Sequence, residues 1–381
     1  MPTLFATAFR PFFILAGAAA ALLLPIWLAA LSGHGPAFAH LGWHAHELIY
    51  GFAAAVLAGF FLTAVPKWTG RPRHVGGALI GLVLIWLSGR VIQLVPDLAP
   101  SALGALDSLF LFALAAAIGV PIFRTASTRN LLFPVLVAGL AAADVVGHVW
   151  PEWATHANRG AVFAVVGIIV IFGGRITPMF TRNALRGVAE VRARTRLDDA
   201  AITSVILAGP LAVLPPDTIP HQGTLIAVVG GTAAALNLLR MRGWATRHTG
   251  AKPLLWILHV GYAWVPVALG CWALSAARPD LLRPSTALHA ATAGVLGTYT
   301  LGMMSRVSLG HTARPLVAPK ALAIGFVAIT LAALLRVVGP LLTTSPAVLH
   351  AAGGLWTLAF ALYTVVYTPW LLKPRLDGKP G

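Results

Sequence analysis

The stretch PFFILAGAAAALLLPIWLAAL, residues 11–31, decides the class of protein, because it contains no charged side chain. A helix of about 20 apolar residues is long enough to cross a bilayer core of about 30 Å. Eleven further runs of this kind follow, so the sequence predicts about twelve transmembrane helices. The predicted spans are residues 11–31, 47–66, 76–95, 103–121, 130–150, 160–178, 200–215, 222–240, 253–275, 286–306, 321–342 and 347–371.

The composition of the whole chain indicates that lipid is its main solvent. Apolar residues make up 58% of the 381 residues and charged residues only 10%, whereas a soluble domain carries about 25% charged residues. Strands of a membrane barrel would be about ten residues long and would alternate in polarity, unlike these runs. We therefore predict an all-α polytopic membrane protein, a single transmembrane domain over residues 1–381 whose first partner is the lipid bilayer.

The positions of the basic residues predict the orientation. With the N-terminus inside, the inner segments hold 21 of the 27 Lys and Arg residues and the outer loops hold 3. This bias follows the positive-inside rule, so both termini are predicted to be cytoplasmic. The net charge of +16 is spread over short loops and forms no continuous basic face, so we predict no nucleic-acid partner.

An internal repeat joins the second and tenth predicted spans. A shift of 243 residues, the separation of His46 and His289, also superposes Gly51 on Gly294 and Gly59 on Gly302. Further pairs at the same shift are Thr69 with Thr312, Arg71 with Arg314 and Pro72 with Pro315. If the sixth span, which Thr181 and Arg182 follow, is a decayed third copy, the copies recur every four helices and predict three four-helix arcs.

The 13 histidines are the main anomaly of the sequence. Nine lie in outer loops or at outer helix ends: His34, His40, His44, His46, His148, His156, His221, His289 and His350. Neutral imidazoles gathered on one side suit a metal or haem site that faces the periplasm. The predicted metal ligands are His44, His46 and His148, and the predicted cofactor ligands are His289, His350 and the buried His259.

The segment WHAHE, residues 43–47, is the sharpest local feature. Side chains two residues apart on a helix point about 200° apart. His44 and His46 therefore serve two sites, or one site if the first turn is irregular. The alternative is an interfacial histidine pair with an aromatic anchor.

Arg90 and Arg336 are single cations within apolar runs, where an unpaired charge is costly. Asp107 and Asp144 are candidate ion-pair partners. Alternatively, the two arginines hold the propionates of a haem, so both are also predicted cofactor-binding residues. A Cys-x-x-Cys-His attachment motif is absent, so any haem would be held non-covalently by imidazoles.

Several segments, in order along nearly the whole chain, resemble the NnrS family. They are FRPFF at 9–13, WHAHE at 43–47, AVPKWTGR at 64–71, GRITPMFTRN at 174–183, HAATAG at 289–294 and GMMSRVSLGHT at 302–312. The one departure is Ala313, where we expect Gly.

The resemblance implies a haem- and copper-containing protein of the bacterial inner membrane that binds or processes nitric oxide in denitrification or nitrosative stress. It supplies no reaction, so both an oxidoreductase served by a membrane or periplasmic electron donor and a sensor stay open. The rival class is a secondary transporter or channel for a small anion or a metal, without a redox cofactor.

Overall fold

The computed structural model describes residues 3–95, 98–192 and 195–379, and these ranges contain helices and no strand. Twelve long helices occur within them, which confirms the all-α polytopic prediction. They are α1 (Phe9–Leu31), α2 (Leu41–Thr69), α3 (Gly77–Ile92), α4 (Pro100–Arg124), α5 (Leu132–Val149), α6 (Ala154–Ala184), α7 (Thr195–Val213), α8 (Gln222–Met241), α9 (Pro253–Ala277), α10 (284–311), α11 (Lys320–Leu342) and α12 (Pro346–Leu371).

Nine of these helices are long and apolar enough to cross a membrane, as judged within the described ranges. The other three are α3, which has 16 residues, together with α7 and α10. Pro100, Pro253 and Pro284 stand at the start of α4, α9 and α10. A proline is favoured there because the first helical N–H has no partner within the helix.

The helices group into two compact units. Unit 1 comprises Met1–Ala161, Met304–Leu316 and Phe360–Gly381, and unit 2 comprises Val162–Met303 and Val317–Ala359. This grouping of contacts does not test whether the chain folds as one domain, which stays a prediction.

Each unit has an aromatic core and an apolar surface. In unit 1 the rings of Phe61 and Phe133 lie 5.0 Å apart, and in unit 2 those of the buried Trp244 and Tyr262 lie 4.6 Å apart. Large apolar side chains are also exposed on both units, among them Leu22, Leu84, Phe112, Leu207, Val228 and Ile324. Exposed apolar surface on this scale fits helices that face lipid.

The backbone supports the internal repeat. Helix α2 becomes π-helical over Glu47–Ala53, and α10 becomes π-helical over Ala290–Thr298. The two segments begin 243 residues apart, which is the shift that joins His46 to His289. A π-helical segment has i→i+5 hydrogen bonds and is frequent at functional sites. Both predicted histidines therefore stand directly before an irregular stretch of helix.

Candidate metal centre

Four side chains from three helices of unit 1 converge on one point. His46 comes from α2, Asp107 from α4, and Asp144 and His148 from α5. One nitrogen or oxygen atom of each lies within 4.8 Å of those of the other three. We call this group of four residues the metal centre.

The distances within the metal centre are those of a compact ligand set. His46 Nε2 lies 2.7 Å from Asp107 Oδ2 and 3.0 Å from Asp144 Oδ1. His148 Nε2 lies 3.4 Å from each of these two oxygens. Bonds of about 2.0–2.1 Å to a tetrahedral ion place the ligand atoms about 3.3 Å apart. The four observed separations bracket that value.

Local sequence explains how these side chains meet. Asp144 and His148 are four residues apart, so they share one face of α5. His46 is the last residue before the π-helical segment of α2. His44 instead stacks on Trp27, with ring centroids 4.0 Å apart and planes at 15°. The two imidazoles thus lie in different surroundings, and the group of four does not include His44.

Three neighbouring side chains hold the ligands in place. His46 Nδ1 lies 3.2 Å from Glu47 Oε1. Arg90 places Nε 2.9 Å from Glu47 Oε2 and Nη2 2.7 Å from Asp107 Oδ1. Gln93 donates from Nε2 to Asp107 Oδ2 at 2.6 Å. A metal-binding histidine commonly donates its second ring N–H to a carboxylate, which fixes the tautomer, and Glu47 occupies that position.

Gly51 allows these groups to pack closely. A Cβ atom at this position would lie 3.1 Å from Glu47 Oε2 and 3.4 Å from two atoms of Arg90. The carbonyl oxygen of Gly51 also accepts a hydrogen bond of 3.0 Å from Trp86 Nε1. This glycine is one of the positions matched in the internal repeat.

The charges around the metal centre do not balance if both imidazoles are neutral. Glu47, Asp107 and Asp144 are each at most 4% exposed, and Arg90 is the cation paired with two of them. Buried charge must be compensated because the interior solvates it poorly. Two added protons or one divalent cation would neutralise the net charge of −2.

Asp144 provides the observation that favours a cation. Its Oδ2 atom is buried and has no hydrogen-bond partner among the described residues, although buried polar atoms are normally satisfied. The donors are two imidazole nitrogens and two carboxylate oxygens, without sulfur. This set fits Cu²⁺, Zn²⁺, Fe²⁺ or Mn²⁺ better than Cu⁺, which prefers soft thiolate or thioether ligands.

The other predicted cofactor residues lie in unit 2, apart from Arg90. His289 Nδ1 lies 2.6 Å from Ser285 O, and His350 Nδ1 lies 2.9 Å from Pro346 O. His289 is half-buried and His350 is exposed. His259 is buried between two hydroxyl groups, with Nε2 2.8 Å from Thr181 Oγ1 and Nδ1 2.8 Å from Thr246 Oγ1. Each role in cofactor binding stays a prediction.

The two intramembrane arginines have different surroundings. The ion-pair interpretation of Arg90 is confirmed by its contact with Asp107. Arg336 is half-buried on α11 of unit 2. The predicted contact of either arginine with a haem propionate stays a prediction.

Asp107 and Asp144 are not among the metal ligands predicted from the sequence, where both are candidate ion-pair partners of arginine. The available signal was the Asp144–His148 spacing of four residues within an apolar span, where ionisable groups are rare and usually functional.

The comparisons with known proteins agree with the resemblance seen in the sequence. The family model described as NnrS protein matches residues 3–375, which is nearly the whole chain. No curated protein matches the chain.

Proposed function

Because the chain belongs to the NnrS family, we propose that it is a haem- and copper-binding membrane protein that binds or processes nitric oxide. The metal centre in unit 1 is the proposed copper site. The orientation with both termini cytoplasmic, which places this centre at the periplasmic end of the helices, is part of the proposal.

Two observations carry the proposal: the convergence of His46, Asp107, Asp144 and His148, and the buried Oδ2 atom of Asp144, which has no hydrogen-bond partner among the described residues. Carboxylates inside a membrane-spanning unit are expensive to maintain unless they are paired or bind an ion. Arg90 pairs with both Glu47 and Asp107, but the described residues offer Asp144 only the two imidazoles. A divalent ion would complete this arrangement.

The surrounding residues would prepare the ligands before an ion enters. Glu47 directs the Nδ1 proton of His46 away from the centre and leaves Nε2 as the ligand atom. Arg90 and Gln93 orient the carboxylate of Asp107. Tyr50, one turn further along α2, donates from its hydroxyl to Asn158 Oδ1 at 3.0 Å. Its ring lies 5.0 Å from that of His46, so packing also limits rotation of the imidazole.

The proposed haem ligands are His289 and His350 of unit 2. In each, Nδ1 faces the carbonyl oxygen four residues earlier on the same helix. A proton on Nδ1 leaves Nε2 with the lone pair that ligates iron. Bound haem iron and copper would supply the binding of nitric oxide and the transfer of electrons to it.

Metal content and colour test the proposal directly. The protein would be purified in mild detergent, its iron and copper measured, and its visible spectrum recorded with and without nitric oxide. Wild type is expected to carry haem and one copper ion per chain. Asp144→Asn should lose the copper while retaining the haem, because the substitution removes one ligand charge from a site in unit 1.

His34→Asn is the matched control, since His34 is exposed in the loop after α1. It should retain both cofactors. A colourless, metal-free wild-type protein would refute the proposal. If its melting temperature also rose with a small anion, the rival transporter function would be favoured.

A further inference from the structure

The end of unit 1 where α1 begins and α12 ends contains a second convergence of charged residues. His311, the last residue of α10, stands at its centre. The ring of Phe9 lies 5.3 Å from the ring of His311, and Lys67 Nζ lies 3.3 Å from its Nε2. Arg375 donates from Nη1 to the carbonyl oxygen of His311 at 3.0 Å. Segments near both ends of the chain therefore meet around the end of α10.

Arg10 connects the start of α1 to the end of α12 by hydrogen bonds. Its side chain is fully buried. Its Nη1 atom donates to Leu371 O at 2.6 Å and to Lys373 O at 2.7 Å. These carbonyls lie at the end of α12, so a permanent positive charge is held where the last helix ends.

Five of the cations at this end form what we call the terminal cation cluster: Arg10, Lys67, Arg73, Arg314 and Arg375. Arg314 and Arg375 repel Arg10 electrostatically, and Arg73 and Arg375 repel Lys67. Arg314 lies over the ring of Trp370 at 5.1 Å. Its Nη1 atom is buried without a hydrogen-bond partner among the described residues.

One carboxylate of the described part of unit 1 belongs to this end. Asp377 accepts hydrogen bonds from Arg375 at 2.6 and 2.8 Å, and this arginine lowers the pKa of Asp377 to about 2. Glu47, Asp107 and Asp144 belong to the surroundings of the metal centre, and Glu152 lies in the short segment between α5 and α6. Glu47 is 20 residues before Lys67 on α2, or roughly 30 Å along a helix. Lys67, Arg73 and Arg314 therefore form no ion pair with a carboxylate in the part of the chain that the structure describes.

Exposed leucines lie beside these cations. Leu316 is 49% exposed, Leu372 is 49% exposed and Leu376 is 65% exposed. A small anion dissolved in water would gain no binding energy from the apolar surface beside these cations. A lipid has a negative headgroup and an apolar chain, and basic pockets at the ends of transmembrane helices bind such headgroups.

We propose that the terminal cation cluster binds the phosphate group of an acidic phospholipid, with its acyl chains against the exposed leucines. The phosphate oxygens would accept hydrogen bonds from Lys67 and Arg314, which are nearer the surface than Arg10. The bound lipid would also reduce the repulsion among the five cations. This site is independent of the proposed metal chemistry.

Thermal unfolding in detergent tests the lipid site. Phosphatidylglycerol, phosphatidylcholine and inorganic phosphate would be titrated separately into the purified full-length protein. Phosphatidylglycerol is expected to raise the melting temperature more than phosphatidylcholine or phosphate does. A juxtamembrane basic residue contributes about 1 kcal/mol to binding of anionic lipid, so each lost charge should weaken binding roughly fivefold.

The test variant is Lys67→Gln combined with Arg314→Gln, which should bind phosphatidylglycerol roughly 25-fold more weakly. Arg124→Gln is the matched control, because Arg124 is an exposed cation that ends α4. It should bind like wild type. If the double variant does not fold, the single variant Lys67→Gln is used, since this side chain is exposed.

Three results would overturn the proposal. Phosphatidylcholine could stabilise the protein as much as phosphatidylglycerol does, which would exclude recognition of charge. The variants could respond to phosphatidylglycerol like wild type, which would exclude these cations. Inorganic phosphate could reproduce the whole shift at equal concentration, which would exclude a lipid as the source of the phosphate group.

Discussion

Binding of a divalent ion at the metal centre should expel protons. Glu47, Asp107 and Asp144 carry three negative charges, and Arg90 carries one positive charge. The net charge is −2 with neutral imidazoles, so without an ion His46 and His148 are expected to be protonated. A ligating imidazole must be neutral. Up to two protons should therefore leave for each ion that enters.

The magnitude follows from this stoichiometry. Affinity coupled to loss of two protons rises roughly 100-fold per pH unit while both imidazoles are protonated in the free protein. Zinc is the suitable probe because it has no redox chemistry. Chelator-treated protein would be titrated with Zn²⁺ by calorimetry in two buffers of different ionisation enthalpy, and the difference between the apparent enthalpies gives the number of protons released.

Asp144→Asn provides the internal check on proton release. The substitution removes one negative charge, so the free centre needs one proton fewer for neutrality. Release should fall from about two protons to about one in whatever binding persists at high Zn²⁺. Two results would refute this reasoning: stoichiometric Zn²⁺ binding by wild type without proton release, or an affinity that does not change with pH between 5 and 8. Either would show that the histidines do not maintain charge balance at this centre.

Three further predictions concern the supporting residues and the topology. Glu47→Gln should weaken metal binding about 10–100-fold, because His46 would no longer be held in place. Glu152→Gln changes an exposed site and should bind metal like wild type. Equal losses in both variants would show a non-specific effect of charge. Gly261→Ala should destabilise unit 2 by about 1–3 kcal/mol in thermal unfolding, because its Cβ would lie 2.7 Å from backbone atoms of Tyr299. Gly231→Ala has open space and should change stability by less than about 1 kcal/mol; similar losses in both would contradict the packing explanation. Reporter fusions should place both termini on the cytoplasmic side, and a periplasmic signal at only one terminus would refute the predicted topology.

Most of the fold could be predicted from the sequence because lipid imposes a simple rule. A chain in the bilayer must satisfy its backbone hydrogen bonds internally, so a long apolar run becomes a helix. This rule predicted all twelve helices, including α7, whose apolar run at residues 200–215 is short. The rule does not predict which helices pack against one another, because Leu and Ala suit lipid and protein contacts equally well.

The site was only partly predictable for the same reason. Histidine, aspartate and arginine stand out in apolar runs, so Asp107 and Asp144 could be named in advance as candidate partners of the two intramembrane arginines. The convergence of α2 with α4 and α5 depends on packing, and no spacing along the chain shows that His46 reaches Asp144. The separation of His44 from His46 followed from helical geometry, whereas the π-helical segment after His46 has no simple sequence signal.

The distance between the two proposed sites of unit 1 predicts that a substitution at one site leaves the other unaffected. Glu47 and Lys67 lie on one helix about 30 Å apart, with carboxylates near the first and cations near the second. Effects of substitutions more than about 10 Å apart are usually additive. The Lys67 and Arg314 double variant should therefore keep its metal content, and Asp144→Asn should keep its response to phosphatidylglycerol. If one substitution abolished both properties, the loss would reflect collapse of unit 1, and neither site could be inferred from that variant. Independent losses would instead establish a metal-binding end and an anion-binding end on one helical unit.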